Sequence, residues 1–231
     1  MRANVTNPPF ADRRDAGREL AGRLAHYRDR EGAIVLGLPR GGMPVAYEVA
    51  CALHVPLDAF VVRKLGVPWR PELAMGALAS GGVRVVNEEV VAALDVDEDT
   101  IEAVTERELR ELECRERCYR GARAPIGVAE RTAIVVDDGL ATGATMRAAV
   151  AALRSRHARA IVIGAPVASA ITRAELACAV DEMVCEHTPE PFMAVGLWYS
   201  DFSPVTDEQV RRLLECSRAR GAQGERLTEL Q

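Results

Sequence analysis

The chain has 231 residues and a formal net charge of −5, with 48% hydrophobic and 27% charged residues. This length and composition are typical of one large globular domain with a full hydrophobic core. The acidic balance argues against a general nucleic-acid or anionic-membrane binder. No apolar run is long enough to span a bilayer or to serve as a secretion signal, so we expect a cytoplasmic protein.

The first part of the chain alternates helices with short buried strands. After a loose segment at 1–10, apolar residues recur at helical spacing from Asp12, the expected N-cap, to Arg30. The elements that follow are a strand at 33–37, a loop at 38–42, a helix at 43–53 and a strand at 58–64. This strand–helix–strand order is typical of a parallel sheet.

An insertion at about 65–125 then interrupts the pattern. Residues 65–75 contain two prolines and predict a mobile loop. Residues 76–86 predict a hairpin that turns at Gly81 and Gly82. The helical stretch at 97–119 is densely charged with both signs, which is typical of a solvated helix.

The alternation resumes after the insertion. The predicted elements are a strand at 132–138, a helix at 144–155, a strand at 159–165, a helix at 169–179 and a strand at 182–186. A loop-rich segment at 187–209, a last helix at about 207–218 and a disordered tail at 219–231 complete the chain. We predict one α/β domain, residues 1–231, with a mostly parallel sheet and helices on both faces. Its core is about 31–188, and a small hood comprises about 1–30 and 189–218.

A turn of small residues, 141-ATGAT-145, lies where the strand at 132–138 ends and a helix begins. Backbone N–H groups at such a turn are unpaired, and the helix dipole adds partial positive charge, so the turn suits a phosphate. Gly143 permits close approach, and Thr142 and Thr145 add hydroxyl donors. Neither the GxxxxGK[ST] nor the GxGxxG motif is present here.

Two carboxylates, Asp137 and Asp138, precede this turn. A carboxylate repels phosphate but accepts hydrogen bonds strongly from vicinal hydroxyls. The pair and the turn therefore fit two ends of one ligand, with the ribose 2′- and 3′-hydroxyls on the carboxylates and the 5′-phosphate on 141–145. The simpler alternative is an acidic N-cap on an ordinary α/β helix. The apolar run before the pair favours the ligand.

The string VVDDGLATGAT at 135–145 resembles the 5-phosphoribosyl-1-pyrophosphate (PRPP) signature of type I phosphoribosyltransferases. The resemblance implies a five-stranded parallel sheet with helices on both faces, a hood over the acceptor and, as is usual in the family, a homodimer. It implies that the ribose and 5′-phosphate of PRPP contact Asp137, Asp138, Gly139, Ala141, Thr142, Gly143, Ala144 and Thr145. The strings GLPRGGMPVA, VRKLG, PELAMGA, VNEEVV and VGLWYSDF resemble a subgroup of small bacterial phosphoribosyltransferase-like proteins.

The resemblance also implies a pyrophosphate site at the loop after the first strand. This loop has exposed amides and an arginine with a planar fork of donors. Its residues are Pro39, Arg40, Gly41 and Gly42. The family's second strand commonly ends in a basic residue that reaches pyrophosphate, and Arg63 and Lys64 occupy that place. A mobile loop closes over the site in the family, and 65–75 fits its position.

By this resemblance, a nitrogen nucleophile displaces pyrophosphate from C1′ of PRPP, a reaction of nucleotide metabolism. One Mg²⁺ is implied, which Asp137 and Asp138 touch through water. The catalytic residues implied are Asp137, Asp138, Lys64 and Arg40. The acceptor is open between purines, pyrimidines, nicotinate-like bases and other amines, and no membrane or nucleic-acid partner is expected.

Aromatic residues cluster after the last predicted strand, where purine-handling members place an aromatic ring and a carboxylate around the base. Trp198, Tyr199 and Phe202 are suited to stacking on a ring, and Asp201 is suited to accept from an exocyclic amine. Packing of the hood onto the sheet explains the same aromatic residues equally well.

Three other functions use parts of the same pattern. A non-catalytic regulator of this fold that senses PRPP or a nucleotide would keep the binding loops, although the chain has no basic stripe for nucleic acid. A phosphatase-like or pyrophosphorolytic activity on a ribosyl phosphate would keep them too. A plain α/β nucleotide-binding module explains 139–145 but not Arg40, Arg63 and Lys64.

Overall fold

The structure, a computed structural model, describes residues 8–228. Its helices are α1 (Arg13–Arg23), α2 (Gly42–Leu53), α3 (Glu88–Leu94), α4 (Glu98–Arg120), α5 (Ala144–Ser155), α6 (Ala170–Ala177) and α7 (Asp207–Thr228). Its strands are β1 (Ala33–Gly37), β2 (Leu57–Ala59), β3 (Val62–Val67), β4 (Arg70–Ala79), β5 (Val83–Val86), β6 (Thr132–Val136), β7 (Ala160–Val167) and β8 (Glu182–His187). Short 3₁₀ turns lie at Ala25–Tyr27 and Val195–Trp198.

Five strands form a parallel sheet in the order β2-β1-β6-β7-β8, which confirms the predicted sheet. Gly37 at the end of β1 pairs with Val136 at the end of β6. The chain runs from β1 outward to β2 and later returns to β6 on the other side of β1, so the strand order reverses between β1 and β6. Loops that leave the carboxyl ends at such a point diverge and open a crevice for a ligand.

Helices cover both faces of this sheet, as predicted. Val35 and Val136 pack with residues of α1, α2, α4 and α7, whereas Ile34 and Val135 pack with residues of α5 and α6. This division follows from the alternation of side chains along each strand. Full burial of each such side chain contributes about 1.5–3 kcal/mol. Helix α1, which we predicted as part of the hood, packs on α2, β7 and β8 and therefore belongs to a helical layer on the sheet. The rest of the division into core and hood stays a prediction.

The predicted strand at 58–64 is divided between two sheets. β2 pairs with β1, and the chain then turns away at Phe60 and Val61, whose amides donate to Gly37 O at 2.9 Å and to Ser80 Oγ at 2.8 Å. β3 enters a separate antiparallel sheet, β3-β4-β5, whose β4–β5 connection is the predicted Gly81–Gly82 turn. A continuous apolar run carries no local signal of such a break.

Residues 65–75 are regular structure, so the prediction of an irregular segment is wrong, whereas closure of this segment over the site stays a prediction. They form much of the β3–β4 hairpin, which turns at Pro68 and Trp69. Pro71 is tolerated because β5 pairs only with Gly76–Ala79 of β4, so Pro71 needs no donor toward a third strand. Trp69 at the tip is 55% exposed.

The charged helix α4 is solvated on one side only, in contrast to the prediction. Ile101, Val104, Leu112 and Tyr119 form a buried stripe at helical spacing, and α4 contacts β3, β4 and α7. The many charged residues of the opposite face make this apolar stripe hard to recognise in the sequence.

The last helix is longer than predicted. α7 continues to Thr228, where we expected an end near 218 and a disordered tail from 219. The remaining parts of the predicted loose termini, residues 1–7 and 229–231, lie outside the described residues. Within the described range, no helix is long and apolar enough to cross a membrane.

Candidate active site

The turn between β6 and α5 presents backbone donors to solvent. Gly143 caps α5 with a left-handed backbone at φ +67°, and Ala141, Thr142 and Thr145 are exposed. No carbonyl of residues 8–228 and no side chain of residues 8–221 accepts a hydrogen bond from the amides of 141–146. These free N–H groups at a helix N-terminus suit an anion such as phosphate.

Side chains outside the turn hold its carbonyl groups. Thr172 Oγ1 donates to Ala141 O at 2.6 Å, and Arg147 Nη2 donates to Thr142 O at 2.6 Å. Arg147 is itself held by Glu175, with Nη1 and Oε2 3.0 Å apart. Because these carbonyl groups are bonded to α5 and α6 side chains, the amides of the turn point away from those side chains.

The loop between β1 and α2 has the same character. Gly42 N donates to Leu38 O, and Met43 N donates to Arg40 O, which closes the loop into the first turn of α2. The amides of Arg40 and Gly41 have no such acceptor within the part of the chain that the structure describes. The Pro39–Arg40 peptide bond is cis.

The two loops touch through the predicted glycines and carboxylates. A Cβ atom added to Gly41 would overlap Asp138 Oδ2. One added to Gly42 would lie 2.9 Å from Asp137 Cα and 3.0 Å from Asp137 Oδ1. Only residues without a Cβ allow this approach. The predicted pyrophosphate loop and the predicted ribose carboxylates are therefore neighbours.

The two carboxylates have different surroundings. Arg13 Nε donates to Asp138 Oδ2 at 2.8 Å, and Tyr199 Oη donates to the Asp138 carbonyl at 2.5 Å. Asp137 Oδ1 accepts from the Asp138 amide at 2.9 Å. Burial raises the pKa of Asp137 well above its usual value, and the charge of Asp138 adds to this. Burial also raises the pKa of Asp138, but the Arg13 guanidinium opposes that rise.

The predicted basic residues do not all face the crevice. Arg63 donates to Glu108 Oε2 on α4 through Nε at 2.9 Å and Nη2 at 2.6 Å. Lys64 is exposed and, among the described side chains, forms no ion pair; strand alternation places it on the face toward α5, with Val62. Arg40 is exposed, with Nη1 3.8 Å from Asp207 Oδ1.

Comparison with known proteins now identifies the family. A family model described as the phosphoribosyl transferase domain matches residues 12–187, which include both loops and the carboxylates. The chain belongs to this family. Two Mycobacterium tuberculosis proteins that are provisionally named phosphoribosyl transferases are 46% identical over 206 residues, which is 89% of this chain and 46% of each relative. The chain thus spans about half the length of the curated relatives it matches.

A solved structure supports the same architecture. The crystal structure of the Thermus thermophilus protein TT1426 has a TM-score of 0.81 and 40% identity, and the alignment covers 89% of this chain and 97% of that one. The α/β fold predicted from the PRPP signature is thereby confirmed for this phosphoribosyl transferase domain.

The residues of the predicted acceptor site in this phosphoribosyl transferase domain differ in accessibility. Tyr199 is buried, and Trp198 is half-buried and stacks on His187 with ring centroids 5.2 Å apart. Phe202 is 36% exposed and lies 5.0 Å from the Tyr199 ring. Asp201 is exposed, and its Oδ1 accepts from Ser203 N at 2.9 Å. Phe202 and Asp201 are therefore the more accessible members of the predicted acceptor site.

Sequence reasoning missed several residues of this site. Arg13, which precedes Asp138 by 125 positions in the chain, donates a hydrogen bond to its carboxylate. Glu108 of α4 accepts a hydrogen bond from Arg63. Thr172 and Arg147 hold the turn at 141–145. No local motif marks these partners, because each acts through a contact that exists only after folding. Arg147 alone had a signal, as a basic residue in the first turn of the helix after the motif.

Proposed function

We propose that this phosphoribosyl transferase domain transfers the 5-phosphoribosyl group of PRPP to a nitrogen nucleophile and releases pyrophosphate. The contact of Gly41 and Gly42 with Asp138 and Asp137 carries the proposal. A ligand that spans this arrangement needs one phosphate at 141–146, hydroxyls beside the carboxylates and a second phosphate group at the glycine loop. PRPP has these groups in that order.

Each end of the ligand has its own donors in this proposal. The 5′-phosphate accepts from the free amides of 141–146 and from the hydroxyls of Thr142 and Thr145. The ribose hydroxyls donate to Asp137 and Asp138. The amides of Arg40 and Gly41 and the cations of Arg40 and Lys64 bind pyrophosphate. Arg63 joins them only if it leaves Glu108, to which it is bonded here.

The charge that develops during transfer explains these residue types. As the C1′–O bond to pyrophosphate breaks, the ribose becomes cation-like and the leaving oxygen gains negative charge. Arg40 and Lys64 stabilise the leaving group, and the carboxylates stabilise the ring. The nucleophile forms the C1′–N bond from the opposite side and releases its proton to solvent or a base.

The donor set fits Mg²⁺, which binds few protein ligands and keeps water and substrate oxygens. No cluster of three or more His, Cys, Asp or Glu side chains that could hold a metal exists among the described residues. Asp137 and Asp138 would contact Mg²⁺ through water. When bound, the ion supplies positive charge to the pyrophosphate.

A nucleobase is the proposed acceptor. Phe202 is 36% exposed, and Asp201 Oδ2 offers an acceptor for an exocyclic amine because Ser203 donates only to Oδ1. Trp198 and Tyr199, which are less exposed, pack next to this region. A cytoplasmic location and a homodimer, both usual for the family, belong to the same proposal.

Pyrophosphate release from PRPP with Mg²⁺, measured over a panel of purines, pyrimidines, nicotinate-like bases and simple amines, tests the proposal. We expect release with at least one acceptor, and its loss in the Asp137→Asn variant. Arg14→Gln is the control, because Arg14 is exposed and lies 3.6 Å from Glu48, outside the crevice. Tight PRPP binding without release from any acceptor would favour the regulator, and the absence of PRPP binding would overturn both functions.

A further inference from the structure

The side chain of Arg13 joins three parts of the candidate active site. Nε donates to Asp138 Oδ2 at 2.8 Å, and Nη1 donates to the Ser203 carbonyl at 2.8 Å. The guanidinium carbon lies 3.9 Å from the centre of the Phe202 ring. The Arg13 and Asp138 side chains are only 11% and 15% exposed, so this pair is largely shielded from solvent screening.

The stability of α1 does not explain an arginine at this position. Arg13 is the first residue of α1, where the helix dipole disfavours a cation and favours an acidic residue. The neighbouring Arg14, in contrast, has 53% of its side chain exposed and lies 3.6 Å from Glu48 of α2. The contacts of Arg13 with the crevice therefore account for its type better than any role in the helix.

Asp138 is held from several sides. Oδ2 is bonded to Arg13 and lies against Gly41, and the backbone carbonyl accepts from Tyr199. Oδ1 accepts no hydrogen bond from any group in the described part of the chain. The carboxylate is thus oriented with one oxygen occupied and one available. Arg13 also compensates one of two adjacent buried negative charges.

We propose that Arg13 is a positioning residue for the ribose end of the ligand. It orients Asp138 so that Oδ1 receives a ribose hydroxyl, and it fastens residues 199–203, which carry the candidate acceptor site, to that carboxylate. This inference rests on the proposed function, because it takes Asp138 as a ribose ligand.

The test uses two halves of PRPP as separate probes. Ribose 5-phosphate and inorganic pyrophosphate, each with Mg²⁺, are titrated calorimetrically into the wild-type protein, Arg13→Gln, Arg13→Lys and the control Arg14→Gln. We expect Arg13→Gln to weaken ribose 5-phosphate binding by about tenfold to a hundredfold, as for loss of a charged hydrogen bond. Pyrophosphate binding is expected to stay unchanged, since that ligand depends on Arg40 and Gly41.

The conservative variant and a double mutant separate positioning from simple structural support. Arg13→Lys keeps the charge but lacks the fork that bonds both Asp138 and Ser203, so partial recovery is expected. Arg13→Gln combined with Asp138→Asn is expected to lose no more affinity than Asp138→Asn alone, because both changes remove one interaction. If Arg13→Gln does not fold, the affinities of Arg13→Lys and the wild-type protein for ribose 5-phosphate and pyrophosphate are compared in its place.

Three results would overturn the inference. One is wild-type affinity for ribose 5-phosphate in Arg13→Gln or, if that variant does not fold, in Arg13→Lys. Another is an equal loss for both probes with no recovery by lysine, which indicates structural support only. The third is fully additive losses in the double mutant. Failure of the wild-type protein to bind PRPP or ribose 5-phosphate is distinguishable from all three, because it removes the proposed function first.

Discussion

Gly41 lies so close to the carboxylate of Asp138 that a methyl group at position 41 would overlap Oδ2. The backbone of Gly41 has φ −59° and ψ −39°, which any amino acid adopts readily. Contact with the carboxylate, and not backbone conformation, therefore requires glycine here. The absence of a side chain allows the glycine loop and the carboxylates to lie side by side in the candidate active site.

Gly41→Ala is expected to displace Asp138 and weaken PRPP binding by at least tenfold, at a stability cost of about 1–3 kcal/mol for the overpacked contact. Calorimetric titration and urea unfolding measure the two effects. Gly22→Ala is the matched control, since a Cβ there meets nothing within 4 Å and alanine is expected to stabilise α1 by up to about 1 kcal/mol. Unchanged PRPP affinity in Gly41→Ala would contradict the close contact.

Asp137→Asn is expected to stabilise the ligand-free protein near neutral pH while it abolishes PRPP binding. Burial, together with Asp138, raises the pKa of Asp137 in the folded state, so the folded protein holds this proton more tightly than the unfolded chain. The ionised carboxylate therefore lowers the free energy of unfolding. This loss grows as pH rises from the pKa of Asp in the unfolded chain, about 3.9, to the raised pKa in the folded protein. Asparagine carries no such cost.

Urea unfolding of both proteins at pH 4, 6 and 8 measures this effect. The advantage of the asparagine variant is expected to be smallest at pH 4 and to grow as pH rises. Parallel stability–pH profiles for the two proteins would show that Asp137 is not the group responsible. A gain in stability with loss of binding is typical of a site that is arranged for function.

The buried salt bridge between Arg120 and Asp58 is expected to matter for folding. Nε and Oδ1 are 2.9 Å apart, both side chains are 2% exposed, and Asp58 Oδ2 also accepts from Ile126 N. Arg120→Met leaves a buried carboxylate without its partner and is expected to cost about 3–5 kcal/mol in unfolding free energy. Arg117→Met, at an exposed pair 3.8 Å from Glu113, is expected to cost no more than about 0.5 kcal/mol. Equal costs for the two variants would refute this.

Tyr119→Phe is expected to flatten the alkaline stability profile. Burial and a 2.9 Å hydrogen bond to Asp207 raise the pKa of Tyr119 to about 12. Stability from this tyrosine is present below its unfolded pKa of about 10 and falls as pH rises toward 12. Between pH 9 and 11, the wild-type protein is therefore expected to lose about 1.4 kcal/mol more than the variant. Equal losses, measured by urea unfolding, would exclude the raised pKa.

Elements close to the candidate site agree with local patterns in the sequence. β6, the turn after it and α5 follow from an apolar run, a string of small residues and a helical period. Asp12 is the N-cap of α1, as predicted, because its Oδ1 accepts from Asp15 N at 2.8 Å. Each of these features depends on residues within about one turn or strand of each other, and the chain carries that information directly.

The sequence by itself determined the family, the parallel sheet and the positions of both loops of the candidate site, since short-range pattern and loop chemistry suffice for them. Only the tertiary structure decided which charges meet. Arg13 pairs with Asp138 across 125 positions of the chain, and Arg63 pairs with Glu108 and does not face the crevice. A charged side chain chooses its partner by distance and burial in the folded protein. Residue type and spacing along the chain do not contain those distances.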